Sequence, residues 1–173
     1  LHVARQALAH GRLDRLWLMV SPGNPLKPAK GMAPFAERLE SARKIADGRR
    51  IIATDIEKRL GTRFTADTMR ALRRRFKKHK FVWLMGADNL AQLPRWGRWL
   101  EIVNAMPMLV VPRPGATRRA LGGQAAKRFA KHRLSARAGL CLASAAPPAW
   151  ILLPVKENAA SATALRQRQT FEE

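Results

Sequence analysis

Cysteine is almost missing from this chain of 173 residues: Cys141 stands alone. One thiol makes no internal disulfide and no thiolate metal cluster. No apolar run approaches the roughly 20 residues that a bilayer-spanning helix needs. No signal peptide is evident either, so the expected setting is the cytoplasm, with no membrane partner. Histidines are few, and none of His2, His10, His79 and His132 forms an i, i+4 pair that would grip a metal. No serine or cysteine nucleophile has an evident base beside it. Acidic residues number 12, and those near strand ends or loops come down to Asp55, Glu57, Asp67 and Asp88. Hydrolytic and metalloenzyme readings are weak on this ground. Neither an internal repeat nor a linker divides the chain, which reads as one domain over residues 1–173.

Positive charge is what the chain has in excess. Against the 12 acids stand 33 lysines and arginines, a net charge of +21. One reading is simply a basic surface. The other is attraction to anions, with phosphorylated small molecules first and nucleic acid second. Disorder is argued against by the 47% of hydrophobic residues, since charged disordered chains lack the apolar surface to fold.

The stretch Phe81 to Leu90, followed by Pro94-Arg95-Trp96-Gly97-Arg98-Trp99, organises the rest. A short apolar run ends at Gly86, an acidic residue follows two positions later, and a helical pattern begins. This is the order of events at the carboxyl end of a strand in an open α/β sheet, where ligands bind. Gly86 permits a tight turn and close approach of a ligand, and Asp88 and Asn89 sit where a helix N-cap belongs. Further strands are expected at 15–20, 50–54, 107–112 and 150–155. Between them, helical spacing is carried by Leu1, Ala4, Ala7 and Leu8, and by Phe35, Leu39, Ala42 and Ala46, with Gly11 and Gly48 as stops. Thr65 is the expected N-cap of a helix that turns Met69, Leu72 and Phe76 inward. A basic helix is expected over 117–137, with Leu121, Ala125 and Phe129 on one side, and a final short one from Ser161. Alternating strands and helices predict an α/β fold, a doubly wound, mostly parallel sheet with helices on both faces.

Several elements suit an anion. The proline-rich loop from Ser21 to Pro28 follows a strand, and so does Arg113. Ser161 and Thr163 lie at a helix start, where backbone N–H groups and the helix dipole favour phosphate, and Arg166 lies one turn on. Together they suggest a phosphorylated ligand.

The order Gly86-Ala87-Asp88-Asn89-Leu90, Trp96, Arg113-Pro114-Gly115, Ser161-Ala162-Thr163-Ala164-Leu165-Arg166 resembles bacterial nicotinate-nucleotide adenylyltransferases. The loop Pro22 to Lys27 and the run Phe64 to Thr68 are similar to further blocks of that family, so the resemblance covers nearly the whole chain. It implies a Rossmann-like fold and transfer of the adenylyl group of ATP to nicotinate mononucleotide, with Mg²⁺ on the phosphates and no protein nucleophile. It implies that Trp96 stacks on the nicotinate ring and that backbone amides around Thr65, Ala66 and Gly97 hold its carboxylate. Asp88, near Gly86, would bond ribose, and Arg113 would lie near the mononucleotide. Ser161, Thr163 and Arg166 would cradle the ATP phosphates. The duller reading of Trp96 is core packing, of Asp88 and Thr65 a helix cap, and of Arg166 a surface charge.

The family's glycine-rich first turn, with its two histidines, is expected upstream of Leu1. No catalytic residue is therefore assigned within the chain. The domain is expected to lack its N-terminal strand, and little transfer is expected from these 173 residues alone. Competing readings are an adenylyltransferase for another phosphorylated acceptor, such as phosphopantetheine, and a basic nucleic-acid-binding protein. For the first reading, nucleic acid is expected to bind only nonspecifically.

Overall fold

The computed structural model describes residues 1–23 and 32–157. Five short strands carry the architecture: β1 (Leu16–Met19), β2 (Ile51–Thr54), β3 (Trp83–Gly86), β4 (Met108–Val111) and β5 (Trp150–Leu152). The apolar runs read from the sequence all become strands, trimmed at one or both ends. Every pairing between them is parallel. Parallel neighbours require a crossover, and helices supply it. The first helix, α1 (His2–His10), precedes β1, and α2 (Phe35–Ile45) joins β1 to β2. Next come α3 (Ile56–Arg59) and α4 (Thr65–Arg75), then α5 (Ala87–Gln92) and α6 (Trp99–Ala105) between β3 and β4. The last two, α7 (Thr117–Leu121) and α8 (Gln124–Arg128), lie before β5.

Successive side chains of a strand point to opposite faces, and β4 uses both. Met108 and Val110 join an apolar layer with Met69 of α4, Leu90 of α5, Ile102 of α6 and Ala125 of α8. Leu109 and Val111 join a second layer with Ala7 and Leu8 of α1, Leu16, Ile51 and Leu142. All four residues of β4 are buried, as expected of a strand covered by helices on both sides. This is a parallel α/β arrangement of Rossmann-like type.

One continuous sheet is expected from the sequence, whereas the described residues form two: β1 with β2, and β3, β4 and β5 in that order. No backbone ladder joins β1 to β3. The two sheets are held instead by side chains, through the layer under α1 and the edge-on contact of Trp17 with Phe81 at 5.8 Å between ring centroids. The single helix expected over 117–137 is also broken. Gly122 and Gly123 separate α7 from α8, because two consecutive glycines weaken a helix. Leu1 is 53% exposed and does not join the inward face of α1. In α2 the expected stripe, Phe35, Leu39 and Ala42, is only half-buried, and the helix ends at Ala46 before reaching Gly48.

Candidate active site

Gly86 lies opposite Val111 in the β3–β4 register, so the turns that follow these two strands open on the same rim. There Asp88 Oδ1 lies 4.0 Å from Arg113 Nε. An added Cβ on Gly86 would collide with Asp88 Oδ1 and come within 3.2 Å of Arg113 Nε. With φ at −79°, Gly86 is there for close approach and not for a left-handed turn. It is also the N-cap of α5, which leaves Asp88 inside the first turn with no side-chain cap on the helix. The expected cap at Asp88 and Asn89 is thereby corrected: the Asp88 carboxylate lies over Gly86 and faces Arg113 without capping the helix. Asp88 Oδ1 is sealed from solvent without a hydrogen-bond partner among the described residues, although the side chain as a whole is 47% exposed.

Arg113 is aimed by its own turn. Its backbone N–H donates to Thr117 Oγ1 at 2.8 Å, and that hydroxyl donates back to the Arg113 carbonyl at 3.0 Å. Gly115 takes the positive φ, 70°, that lets the turn close.

A second group forms where α4 and α6 begin. Thr65 is the first residue of α4 and not its cap; Phe64, with extended backbone, is the N-cap, and no side chain caps the helix. The amides of Asp67 and Thr68 both donate to the Phe64 carbonyl, which leaves those of Thr65 and Ala66 without an acceptor among the described residues. The indole of Trp96 packs tilted on Trp83 at 5.7 Å, at the edge of the apolar layer. Its Nε1 is buried with no hydrogen-bond partner among the described residues. Gly97 is exposed, and Arg98 adopts the left-handed conformation, φ 57°, as N-cap of α6.

Sequence reasoning missed the ion pairs that tie these two helix starts together. Arg98 Nη2 donates to Asp67 Oδ2 at 2.5 Å. Arg70 reaches Asp67 Oδ1 at 3.3 Å and Glu101 Oε2 at 2.5 Å. The hydrogen bond from Arg98, helped by the charges of Arg98 and Arg70, holds the Asp67 carboxyl below its usual value of 3.8. A carboxyl depressed in the folded state contributes stability above its unfolded pKa and loses it as pH falls through the folded value. Unfolding midpoints of the native protein and of Asp67→Asn are therefore expected to differ at neutral pH. They should converge on acidification below the ordinary carboxylate range, as followed by circular dichroism.

Ser161, Thr163, Arg166 and the loop from Asn24 to Lys27 lie outside the described residues. Two open hollows, of about 480 and 510 Å³, lie beside α4 and are not lined by Asp88 or Arg113. Among the described residues no three His, Cys, Asp or Glu side chains gather as a metal site, and no helix is long and apolar enough to cross a membrane.

Residues 1–168 match the family model described as Cytidylyltransferase-like. The chain belongs to this family. Among its cytidylyltransferase-like relatives, a protein of Gluconobacter oxydans is 54% identical over 171 residues, covering 99% of this chain and 88% of its own length. Another, from Gluconacetobacter diazotrophicus, is 55% identical over 166 residues, 96% of this chain and 77% of the relative. A third, from Cereibacter sphaeroides, is 50% identical over 165 residues, 95% and 87% of the two chains. Each of the three is named a probable nicotinate-nucleotide adenylyltransferase.

Proposed function

We propose that this cytidylyltransferase-like protein transfers the adenylyl group of ATP to nicotinate mononucleotide, giving deamido-NAD and pyrophosphate, in the cytoplasm. The observation that carries the reading is the meeting of Gly86, Asp88 and Arg113 on one rim of adjacent parallel strands, in a chain whose relatives bear that name. A phosphate oxygen of the mononucleotide attacks the α-phosphorus of ATP. The new P–O bond forms as the bond to the β-phosphate breaks and pyrophosphate departs, with no covalent enzyme intermediate. Catalysis of this kind rests on positioning and charge neutralisation.

The acidic pyridine ring lies against Trp96, in this reading, and its carboxylate accepts from the amides of Thr65, Ala66 and Gly97. Asp88 Oδ1 accepts from a ribose hydroxyl. Arg113 offers its charge to the mononucleotide, and Ser161, Thr163 and Arg166 hold the ATP phosphates. Bound with ATP, Mg²⁺ would supply charge neutralisation at the phosphates. The described residues offer no cluster of ligands for a resident ion, so none of them is assigned to it.

The test is pyrophosphate release by the complete gene product with ATP and, in turn, nicotinate mononucleotide, its amide and phosphopantetheine. Turnover is expected to be fastest with the acid form, because an amide presents one acceptor and one unwelcome donor to a row of N–H groups. Faster turnover with phosphopantetheine, or none with either pyridine nucleotide, would overturn the assignment.

A further inference from the structure

The amides assigned above to the nicotinate carboxylate come from two pieces of chain that are far apart in sequence. One is the start of α4 at Thr65 and Ala66. The other is the turn Trp96-Gly97-Arg98 that leads into α6. For both to meet one carboxylate, α4 and α6 must be held in a fixed relation, and backbone hydrogen bonds do not do this. The amides of Trp99, Glu101 and Ile102 are satisfied within their own segment, by the carbonyls of Trp96 and Arg98.

Side chains link the two. Asp67 and Arg70 stand in the first turns of α4, while Arg98 and Glu101 stand at the start of α6. They form one chain of charge, Arg98 to Asp67 to Arg70 to Glu101, with contacts of 2.5, 3.3 and 2.5 Å. The guanidinium of Arg98 also lies 5.9 Å from the ring centroid of Phe64, the N-cap of α4. An isolated exposed ion pair contributes little, but a network of several charges is the recognised exception. Its placement is informative too. In a protein with 12 acidic against 33 basic residues, two acids gather at this junction, and one of them is shared between two arginines.

The backbone adds a second sign. Arg98 sits at φ 57°, a conformation that an ordinary residue adopts only at a cost unless its surroundings hold it there. Glycine would take it freely. The Arg98 side chain, anchored on Asp67, is one of the surroundings that hold it there. One edge of the α4 start is fixed independently: Thr68 Oγ1 donates to the buried carboxylate of Glu57 at 3.1 Å and lies 2.8 Å from Thr62 Oγ1. The Asp67–Arg98 pair adds a polar tie from this helix start to the residue after Gly97, beside the apolar packing of Met69 and Ile102.

We propose that Asp67 and Arg98 are positioning residues: their ion pair holds the starts of α4 and α6 together, so that amides from both converge on one carboxylate. The pair thereby sets the preference for an acidic over an amidated pyridine nucleotide. Neither residue touches the reacting atoms. The inference rests on the proposed function, and its effect is confined to one substrate.

The experiment compares the complete gene product with Arg98→Ala, Arg98→Lys and Asp67→Asn, measuring kcat and KM for nicotinate mononucleotide, its amide and ATP. Arg98→Ala and Asp67→Asn are expected to raise KM for the acid form about tenfold, the scale of losing one or two charge-assisted hydrogen bonds. KM for ATP and kcat are expected to stay within about twofold, so that the acid-to-amide ratio of kcat/KM falls by about tenfold. Arg98→Lys keeps a cation and is expected to recover part of the ratio. Arg98→Gly accepts the backbone angle without a Cβ and keeps the turn accessible if the alanine variant folds poorly; its ratio is expected to fall equally. An unchanged ratio in folded variants would overturn the inference while leaving the proposed function intact. So would a parallel loss for acid, amide and ATP, which marks a merely structural role. No turnover of either pyridine nucleotide by the native protein would remove the proposed function and this inference with it.

Discussion

Gly86→Ala is expected to remove most of the activity while leaving the fold nearly intact. The new Cβ would land on Asp88 Oδ1, with Arg113 Nε 3.2 Å away. The main obstacle is the end of a movable side chain and not backbone, so the carboxylate gives way and the strand stays. The angle of −79° at Gly86 suits alanine as well as glycine, which keeps the cost to folding small. What is lost is the placement of Asp88 on the rim. Hydrogen bonds to a charged group are worth about 1.5–3 kcal/mol, or about 10- to 150-fold in kcat/KM. Asp88→Ala is expected to show the same loss, and the double variant no more than either single one, because both act on one carboxylate. Steady-state kinetics with both substrates, beside a thermal melt, decide the matter. Near-native turnover by Gly86→Ala would show that the carboxylate's position is irrelevant.

Trp150→Ala is expected to bring the largest loss of stability. Trp150 is 1% exposed, pairs with Met108 in the central ladder, and donates from Nε1 to the Phe129 carbonyl at 2.9 Å. Truncating a buried tryptophan to alanine costs about 3–5 kcal/mol through lost burial and the cavity left behind. The abandoned carbonyl adds to this. Domains are stable by only about 5–15 kcal/mol, so this one change consumes much of the margin. Trp150→Phe keeps most of the volume and forfeits the N–H, for an expected loss of about 1–3 kcal/mol. Urea midpoints for the two variants separate packing from hydrogen bonding; equal midpoints would show that the N–H contributes more than the volume.

The parts of the molecule set by local pattern could be read in advance. The apolar runs became strands, and the periodicity of Ala4, Ala7 and Leu8, and of Met69 and Leu72, marked the inward faces of α1 and α4. Gly86 and Asp88 announced a strand-to-helix turn by their spacing alone. The cap at Thr65 was misread by one position, because a threonine that could cap and one that merely follows the cap look the same in sequence. The Asp67–Arg98 pair had no local signature: 31 positions separate its members, and only the packing of α4 on α6 brings them together. The same holds for Asp88 with Arg113, whose meeting depends on which strands become neighbours. The break at Gly122-Gly123 is local in the sequence, but the expectation of one helix over 117–137 rests on its alanines and does not take the glycine pair into account.

The alternation along β4 has a consequence for precision. Met108 and Val110 serve one apolar layer while Leu109 and Val111 serve the other. Sliding this strand by a single position would send each pair into the wrong layer, so intermediate alignments are penalised by both layers at once. Gly86 is locked opposite Val111 by that same constraint. The separation of two charged groups on the rim is thus fixed by grease buried beneath them, and errors in it are quantised: right alignment, or none.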